Sequence, residues 1–335
     1  MKVIEIRDGF GFESLRVTDR PDPVPGPGQV VLKMKAFSLN YRDLLVVNGI
    51  GRWKPSLPRI PLSDGLGVVA AAGSGVARVK AGDRVAPIFY PKWLDGSVAP
   101  EKMGRPLGGA VADGVLAEYT LVEETSVVHV PEHLSDDEAA ALPCAAVTAW
   151  NAVVQVGKTK PGDTVVVLGT GGVSIFALQF ARLLGARVII TSSSDEKLER
   201  AKQLGAAAII NYKATPDWSR AVVELTGGIG ADYIVDAAGG LREAIAAVRL
   251  GGTVAFVGLL IGMSAEVDLV SFMGKSARLE AIDVGSREMF EEMTRAIEFH
   301  QMRPVVDRVF GFSEVGDGLK YLKEARHVGK ICLRA

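Results

Sequence analysis

The sequence predicts an α/β chain in which a doubly wound parallel sheet is joined to a second, β-rich unit. Three observations carry that expectation. A β-branched run, Val165-Val166-Val167-Leu168, ends at the glycine turn Gly169-Thr170-Gly171-Gly172 and passes at once into an apolar helical pattern (Ile175, Leu178, Ala181). Strand and helix patterns then alternate to about residue 284. The first 120 residues differ, with short alternating strands divided by proline and glycine.

At the glycine turn the backbone must reverse sharply, which Gly169 permits. Gly171 and Gly172 let it approach an anion at the N-terminus of the following helix, where unpaired N–H groups and the helix dipole favour phosphate. A dinucleotide pyrophosphate is the usual occupant, so Gly169, Gly171, Gly172 and Val173 are expected to bind a cofactor. Ser174 stands where the G-x-G-x-x-G pattern ends in a helix-packing glycine, and it is small enough that no clash is expected. Further strands are expected over Val188–Thr191, Ala207–Asn211, Tyr233–Asp236, Thr253–Gly258 and Leu279–Val284. Helices are expected over Asp195–Leu204, Trp218–Thr226 and Leu241–Val248. Each crossover must return over the sheet, so the strands run parallel and are covered on both faces. Gly185, Gly205 and Gly251 are expected just after helices, as left-handed caps. Val257, Gly258 and Leu259, at a strand's carboxyl end, join the expected cofactor set.

In the first part, Pro21, Pro23, Pro25 and Pro27 punctuate a loop before the alternating strand Gln29–Ala36, and Gly73, Gly75 and Gly82 divide those that follow. The C-terminal segments Val305–Phe310, Val315–Ala325 and Lys330–Leu333 resemble neither another crossover nor a tail, and are expected to return to the first unit. The expected domains are 1–145 with 285–335, and an inserted 146–284, with a substrate cleft between the lobes. Tyr90–Gly109 forms either a lid or a solvated insertion.

With 335 residues, 48% of them hydrophobic, the chain can fill two cores. A net charge of −1 gives no general attraction for nucleic acid or an anionic membrane. Two cysteines, Cys144 and Cys332, build no disulfide framework and suit a reducing compartment. No signal-type start or spanning apolar run is read, so a cytoplasmic location is expected. The last strands lie at a sheet edge, and with the apolar stretch from Leu259 to Ser264 they are expected to form a homodimer.

The chain resembles, from end to end, the medium-chain dehydrogenases/reductases. The resemblance rests on Ser38-Leu39-Asn40-Tyr41-Arg42-Asp43, Gly82-Asp83-Arg84-Val85, Gly114-Val115-Leu116-Ala117-Glu118-Tyr119, Cys144 through Trp150, the glycine turn, and Gly329-Lys330-Ile331. It implies a GroES-like β-rich catalytic domain and a Rossmann dinucleotide-binding domain. Alcohol-oxidising members hold zinc with cysteine, histidine and a second cysteine. The matching positions here are Asn40, Ser63 and Cys144, with Asp64 where those enzymes place a glutamate beside the metal. One thiol with an amide and a hydroxyl is a poor zinc set. The four cysteines of a structural zinc lobe are also missing, and His129, His133, His300 and His327 have no metal-ligand spacing. No metal is expected.

The zinc-lacking branch that shares the Ser-Leu-Asn-x-Arg-Asp pattern is the quinone oxidoreductases. That resemblance implies hydride transfer from NADPH to a quinone or an α,β-unsaturated carbonyl, with hydrogen-bond donors stabilising the acceptor oxygen. Asn40, Ser63 and Tyr41 are the donors expected there, each weighed against plain loop capping. Thr148 is expected at the nicotinamide, Tyr212 on the adenosine side and Lys330 near the pyrophosphate, while Cys144 reads as an apolar filler. Neither a histidine nor a paired carboxylate is expected near the site, so general-acid catalysis is not. An NAD enzyme usually ends its second strand in Asp or Glu, about 20 residues past the turn. Here Ser192, Ser193 and Ser194 stand there with Lys197 following, which suits a 2′-phosphate and favours NADPH over NADH. Asp195 and Glu196 weigh the other way. Two alternatives stay open: an alcohol dehydrogenase-type enzyme, and a nucleotide-dependent binding protein without catalysis.

Overall fold

The computed structural model describes residues 1–260 and 262–335. Ile261, within the apolar stretch expected to widen a dimer contact, lies outside the described residues. The chain divides into two compact units, Met1–Val147 with Gly285–Ala335, and Thr148–Val284. Among the described residues no helix is long and apolar enough to cross a membrane.

The first unit opens with β1 (Lys2–Ile6) and β2 (Leu15–Asp19), a two-stranded antiparallel sheet. Its main strands are β3 (Gln29–Ser38), β4 (Asp64–Ala72), β5 (Arg84–Pro87), β6 (Tyr119–Glu123) and β7 (Val127–His129). Helices α1 (Tyr41–Val47), α2 (Pro100–Met103) and α3 (Asp136–Ala140) punctuate them, and α4 (Val147–Trp150) lies where the second unit starts. β3 is the hub. It pairs with β4 along one edge, and two register shifts near Val31 and Met34 accommodate its twist. β6 pairs with β3 over Gln29–Lys33. Its buried Val30, Leu32, Met34 and Phe37 meet Val69, Leu116, Val315 and Leu333 in one core cluster, since a side chain removed from water contributes roughly 25 cal/mol per Å² of apolar area. The segment 90–109 is half anchored. Tyr90 and Trp93 are buried, and Trp93 O and Leu94 O accept N–H groups of Arg287 and Glu288, whereas 95–98 and 101 are mostly exposed.

The second unit is the doubly wound sheet. Strands β8 (Thr164–Leu168), β9 (Arg187–Ser192), β10 (Ala208–Asn211), β11 (Ala231–Asp236), β12 (Val248–Phe256) and β13 (Arg278–Ala281) lie in the order β10-β9-β8-β11-β12-β13, all parallel. Helices α5 (Gly172–Leu183), α6 (Asp195–Gln203), α7 (Trp218–Leu225), α8 (Leu241–Ala247) and α9 (Leu269–Gly274) make the connections. Val165, Val166, Val167 and Ile189 are wholly buried, as a sheet covered on both faces requires. The winding reverses between β8 and β11, and the carboxyl ends at such a switch point are where this architecture binds ligands. One expectation fails. Gly251 is left-handed (φ +67°), but it lies inside β12, not after a helix. Extended structure resumes immediately after α8, and the register irregularity between Ala231 and Tyr233 takes up the extra residues.

The chain then returns to the first unit through α10 (Arg287–Phe299), β14 (Val306–Gly311), α11 (Val315–Lys323) and β15 (Lys330–Arg334). β15 lies antiparallel to β3 with Cys332 opposite Ser38, and β14 continues the sheet beyond it.

Candidate active site

In the second unit β8 ends at Leu168 and the chain turns at Gly169, whose φ of +83° only glycine adopts without strain. α5 starts at Gly172 with Gly171 as its N-cap and no side chain capping it, so the first-turn N–H groups face outward. Ser174 is buried and its hydroxyl donates to Leu168 O at 2.9 Å, tying helix to strand where a third glycine was expected. At the end of β9, Ser192 Oγ accepts the Ser194 N–H and Ser194 Oγ accepts the Lys197 N–H, both at 3.4 Å, so Ser194 is the N-cap of α6. Asp195 Oδ1 accepts from Asn211 Nδ2 at 2.7 Å, which ties that carboxylate to the end of β10. Tyr212 follows and is exposed. Val257 and Gly258 both donate N–H groups to Asp236 O. A Cβ at Gly258 would meet Ala237 O at 1.9 Å, so close backbone packing alone demands glycine there. Sequence reasoning missed Asp236. Its Oδ1 accepts N–H groups of Ala238, Gly239 and Gly240, so it shapes the turn after β11, next to β8, and burial pushes its carboxyl up.

In the first unit, register brings distant residues together. Ser38 at the end of β3 faces Asp64 at the start of β4, and Leu39 donates its N–H to Ile331 O in β15. Asn40 is the N-cap of α1; its N–H donates to Asp43 Oδ2 at 2.8 Å. The Asn40 side chain turns the other way, where its Oδ1 accepts from Lys330 Nζ at 2.6 Å. Lys330, 2% exposed, donates also to Leu39 O at 2.7 Å. The Asn40 Nδ2 is buried and closes no hydrogen bond of good geometry, though the amide tempers the rise at Asp64.

Asp64 is fully buried. Its Oδ1 accepts from Ser63 Oγ at 2.6 Å and its Oδ2 from the Cys144 N–H at 3.1 Å. Burial pushes its carboxyl up against the pull of Lys330 and these hydrogen bonds. Asp43, also fully buried, is raised to about 6 by burial, with Arg42 opposing and Asp64 adding to the rise. Arg42 lies over the Phe89 ring at 4.8 Å and donates to Leu107 O at 2.7 Å. Cys144 keeps some exposed surface, yet protein packing around its sulfur, and then Asp64, push the thiol well up.

Two expectations need correction. Ser63 is not available to an acceptor oxygen, because a hydroxyl has one proton and Asp64 holds it. Lys330, expected near the pyrophosphate, donates its ammonium protons to Leu39 O and Asn40 Oδ1 inside the first unit. Two buried carboxyls do lie within each other's field, since Asp64 adds to the rise at Asp43 and burial raises both. Asp64 starts β4 opposite Ser38, and Asp43 lies in α1 just beyond the end of β3. Of the remaining expected residues, Tyr41 is exposed in the first turn of α1 and Thr148 is buried in α4.

An open glycine turn on a doubly wound sheet, with a GroES-like β unit, defines a nucleotide-dependent oxidoreductase. Residues 26–132 match the alcohol dehydrogenase GroES-like domain and 172–298 the zinc-binding dehydrogenase family. A zinc-type alcohol dehydrogenase-like protein of Schizosaccharomyces pombe is 40% identical over 333 residues, 97% of this chain and 96% of its own. A 2-methylene-furan-3-one reductase of Solanum lycopersicum is 31% identical over 316 residues, 91% of this chain and 71% of its own. Among solved structures, an NAD-dependent alcohol dehydrogenase superposes with a TM-score of 0.92 at 34% identity, covering 100% of both chains. A mycobacterial protein complexed with NADPH gives 0.82 at 27%, also covering 100% of both. The chain belongs to the medium-chain dehydrogenase/reductase superfamily.

Proposed function

We propose that this oxidoreductase uses NADPH, without zinc, to reduce a quinone or an α,β-unsaturated carbonyl. The observation that carries the reading is the donor set around Asn40. Its Oδ1 already accepts from an ammonium and Ser63 donates to Asp64, which leaves Cys144 as the one soft donor of the three matching positions. Zinc needs anionic or lone-pair donors and is repelled by a neighbouring cation, so these residues do not fit it. Among the described residues no group of three His, Cys, Asp or Glu could hold a metal ion.

The glycine turn fits a dinucleotide. A Cβ built at Gly171 meets nothing within 4 Å, and the uncapped N-terminus of α5 offers donors to the pyrophosphate. Ser192, Ser193, Ser194 and Lys197 would hold the 2′-phosphate, with Asp195 restrained by Asn211. When bound, NADPH supplies hydride to an electron-poor carbon. As negative charge grows on the conjugated oxygen, Asn40 Nδ2 donates to it, an amide donor that works at any pH. Tyr41 can add a hydroxyl from the exposed start of α1. The relative that reduces 2-methylene-furan-3-one, itself an α,β-unsaturated ketone, supports this acceptor class.

A second reading, an alcohol or aldehyde oxidoreductase using NAD(H), is favoured by the names of the Schizosaccharomyces relative and the NAD-dependent structure. NADPH and NADH oxidation against a panel of quinones, cyclic enones and aldehydes separates the two. Turnover of enones or quinones with NADPH is expected; turnover of aldehydes alone would replace this reading by the second.

A further inference from the structure

We propose that Lys330 is the positioning residue of the acceptor site, fixing the Asn40 amide and supplying the positive charge behind it. The inference rests on the acceptor reading given above. It starts from an asymmetry in hydrogen bonding. An ammonium can only donate, so its 2.6 Å bond to Asn40 settles which end of the amide faces it. Oδ1 must point to Lys330, and Nδ2 is left facing the other way. That nitrogen belongs to a residue 8% exposed and closes no hydrogen bond of good geometry, although it lies near enough to Asp64 to hold that carboxyl down. A buried donor whose hydrogen bond is poorly made carries part of its desolvation cost, and an incoming oxygen would recover it.

The cation is an expensive choice for mere support. Lys330 is 2% exposed, and its two hydrogen bonds go to neutral carbonyl-type oxygens, Leu39 O and Asn40 Oδ1. No carboxylate lies within ion-pair distance of it among the described residues, although Asp43 and Asp64 both feel its field. Burying a charge costs several kcal/mol unless it is paired at close range. A neutral side chain at the start of β15 could cap Leu39 O more cheaply. The ammonium polarises the Asn40 amide, making its N–H groups better donors to a developing enolate or quinol oxygen. The site thus has a fixed, non-metal positive charge one residue behind the donor.

The test compares wild type with Lys330→Met, Lys330→Gln and Lys330→Arg, using 2-cyclohexenone and a naphthoquinone as probe acceptors at saturating NADPH. Lys330→Met is expected to lower kcat about 10- to 100-fold, toward the low end of the range for one oxyanion donor, with NADPH Kd by fluorescence titration within about threefold. Lys330→Arg should recover part of the rate. Lys330→Gln, which keeps N–H donors but not charge, should not. A folded Lys330→Met enzyme with wild-type kcat, or full recovery by Lys330→Gln, would overturn the proposal. So would a loss in NADPH affinity that matches the loss in rate, which would return Lys330 to the pyrophosphate. If Lys330→Met does not fold, the Gln and Arg variants decide. The Asn40 side-chain NH2 resonances, assigned by their absence from Asn40→Ala, report without turnover. They should move in Lys330→Gln, and an unmoved pair refutes the coupling. A wild type inactive on both probes would instead refute the acceptor reading and leave this resonance test standing.

Discussion

Replacing Asp43 by asparagine should stabilise the first unit, and by an amount that grows with pH. In the folded chain the Asp43 carboxyl is raised to about 6, against an ordinary aspartate value of 3.8. Between those values the native state holds a proton that the unfolded chain has released. Stability then falls as pH rises through the window, because the native state binds more protons. A separation of about two pH units corresponds to about 3 kcal/mol, the full difference being reached near pH 7. An asparagine there cannot ionise and is nearly isosteric; its amide oxygen can still accept the Asn40 N–H. The difference in unfolding free energy between Asp43→Asn and wild type should therefore be about 1 kcal/mol at pH 4.5, where most unfolded chains have already released that proton, and rise by about 2 kcal/mol more by pH 7.5. Urea unfolding across that range measures it, and hydrogen exchange at β3 amides reports the first unit by itself. A difference that stays flat, or that shrinks as pH rises, would refute the reasoning. It would mean that Arg42 and Lys330 hold Asp43 ionised throughout.

Four further outcomes are expected. Asn40→Ala should lower kcat on a cyclic enone by roughly 10- to 1000-fold and change NADPH affinity much less; intact turnover with weakened NADPH binding would place Asn40 on the cofactor. Lys197→Ala should weaken NADPH binding by about 1.5–3 kcal/mol and leave NADH nearly unchanged, as isothermal titration would show; equal losses would remove Lys197 from the 2′-phosphate. Metal analysis of the purified protein should find no stoichiometric zinc, and chelation should leave activity unchanged. We also propose a homodimer through the β13 edge, where Leu279 is exposed together with Leu269, Val270 and Met273 of α9. Light scattering at micromolar concentration should give twice the 35.5 kDa chain mass; a monomer mass would refute it.

The doubly wound unit was legible because its evidence is local. Period-two and helical patterns, with a glycine turn between them, identify each strand and helix without knowledge of its neighbours. Gly251 misled because a left-handed glycine after a helical pattern reads as a cap, whereas the bulge that uses it depends on β11. The polar cluster was less legible. Asn40 and Lys330 are 290 residues apart, and nothing near either residue hints at the other. Ser63 reads as a free donor until its neighbour's burial is known, since only a fully desolvated carboxylate holds a hydroxyl so firmly. Asp43 lies within the Ser38–Asp43 motif, yet the field it shares with Asp64 arises only once α1 follows β3 and β3 pairs with β4.

The pairing of β15 with β3 also bears on how the chain is made. Ser38 and Cys332 touch across 294 residues, so one edge at the end of β3 stays open until almost all of the described chain has been synthesised, although β4 and β6 can pair with β3 earlier. The second unit ends at residue 284, so all of its residues are made while the remainder is still being translated. Until then β3 presents an unpaired edge from Ala36 to Ser38, leading straight into Asn40. Closing that edge delivers Lys330 and assembles the polar cluster in one event. The polar cluster around Asn40 is thus complete only once the strand that carries Lys330 is in place.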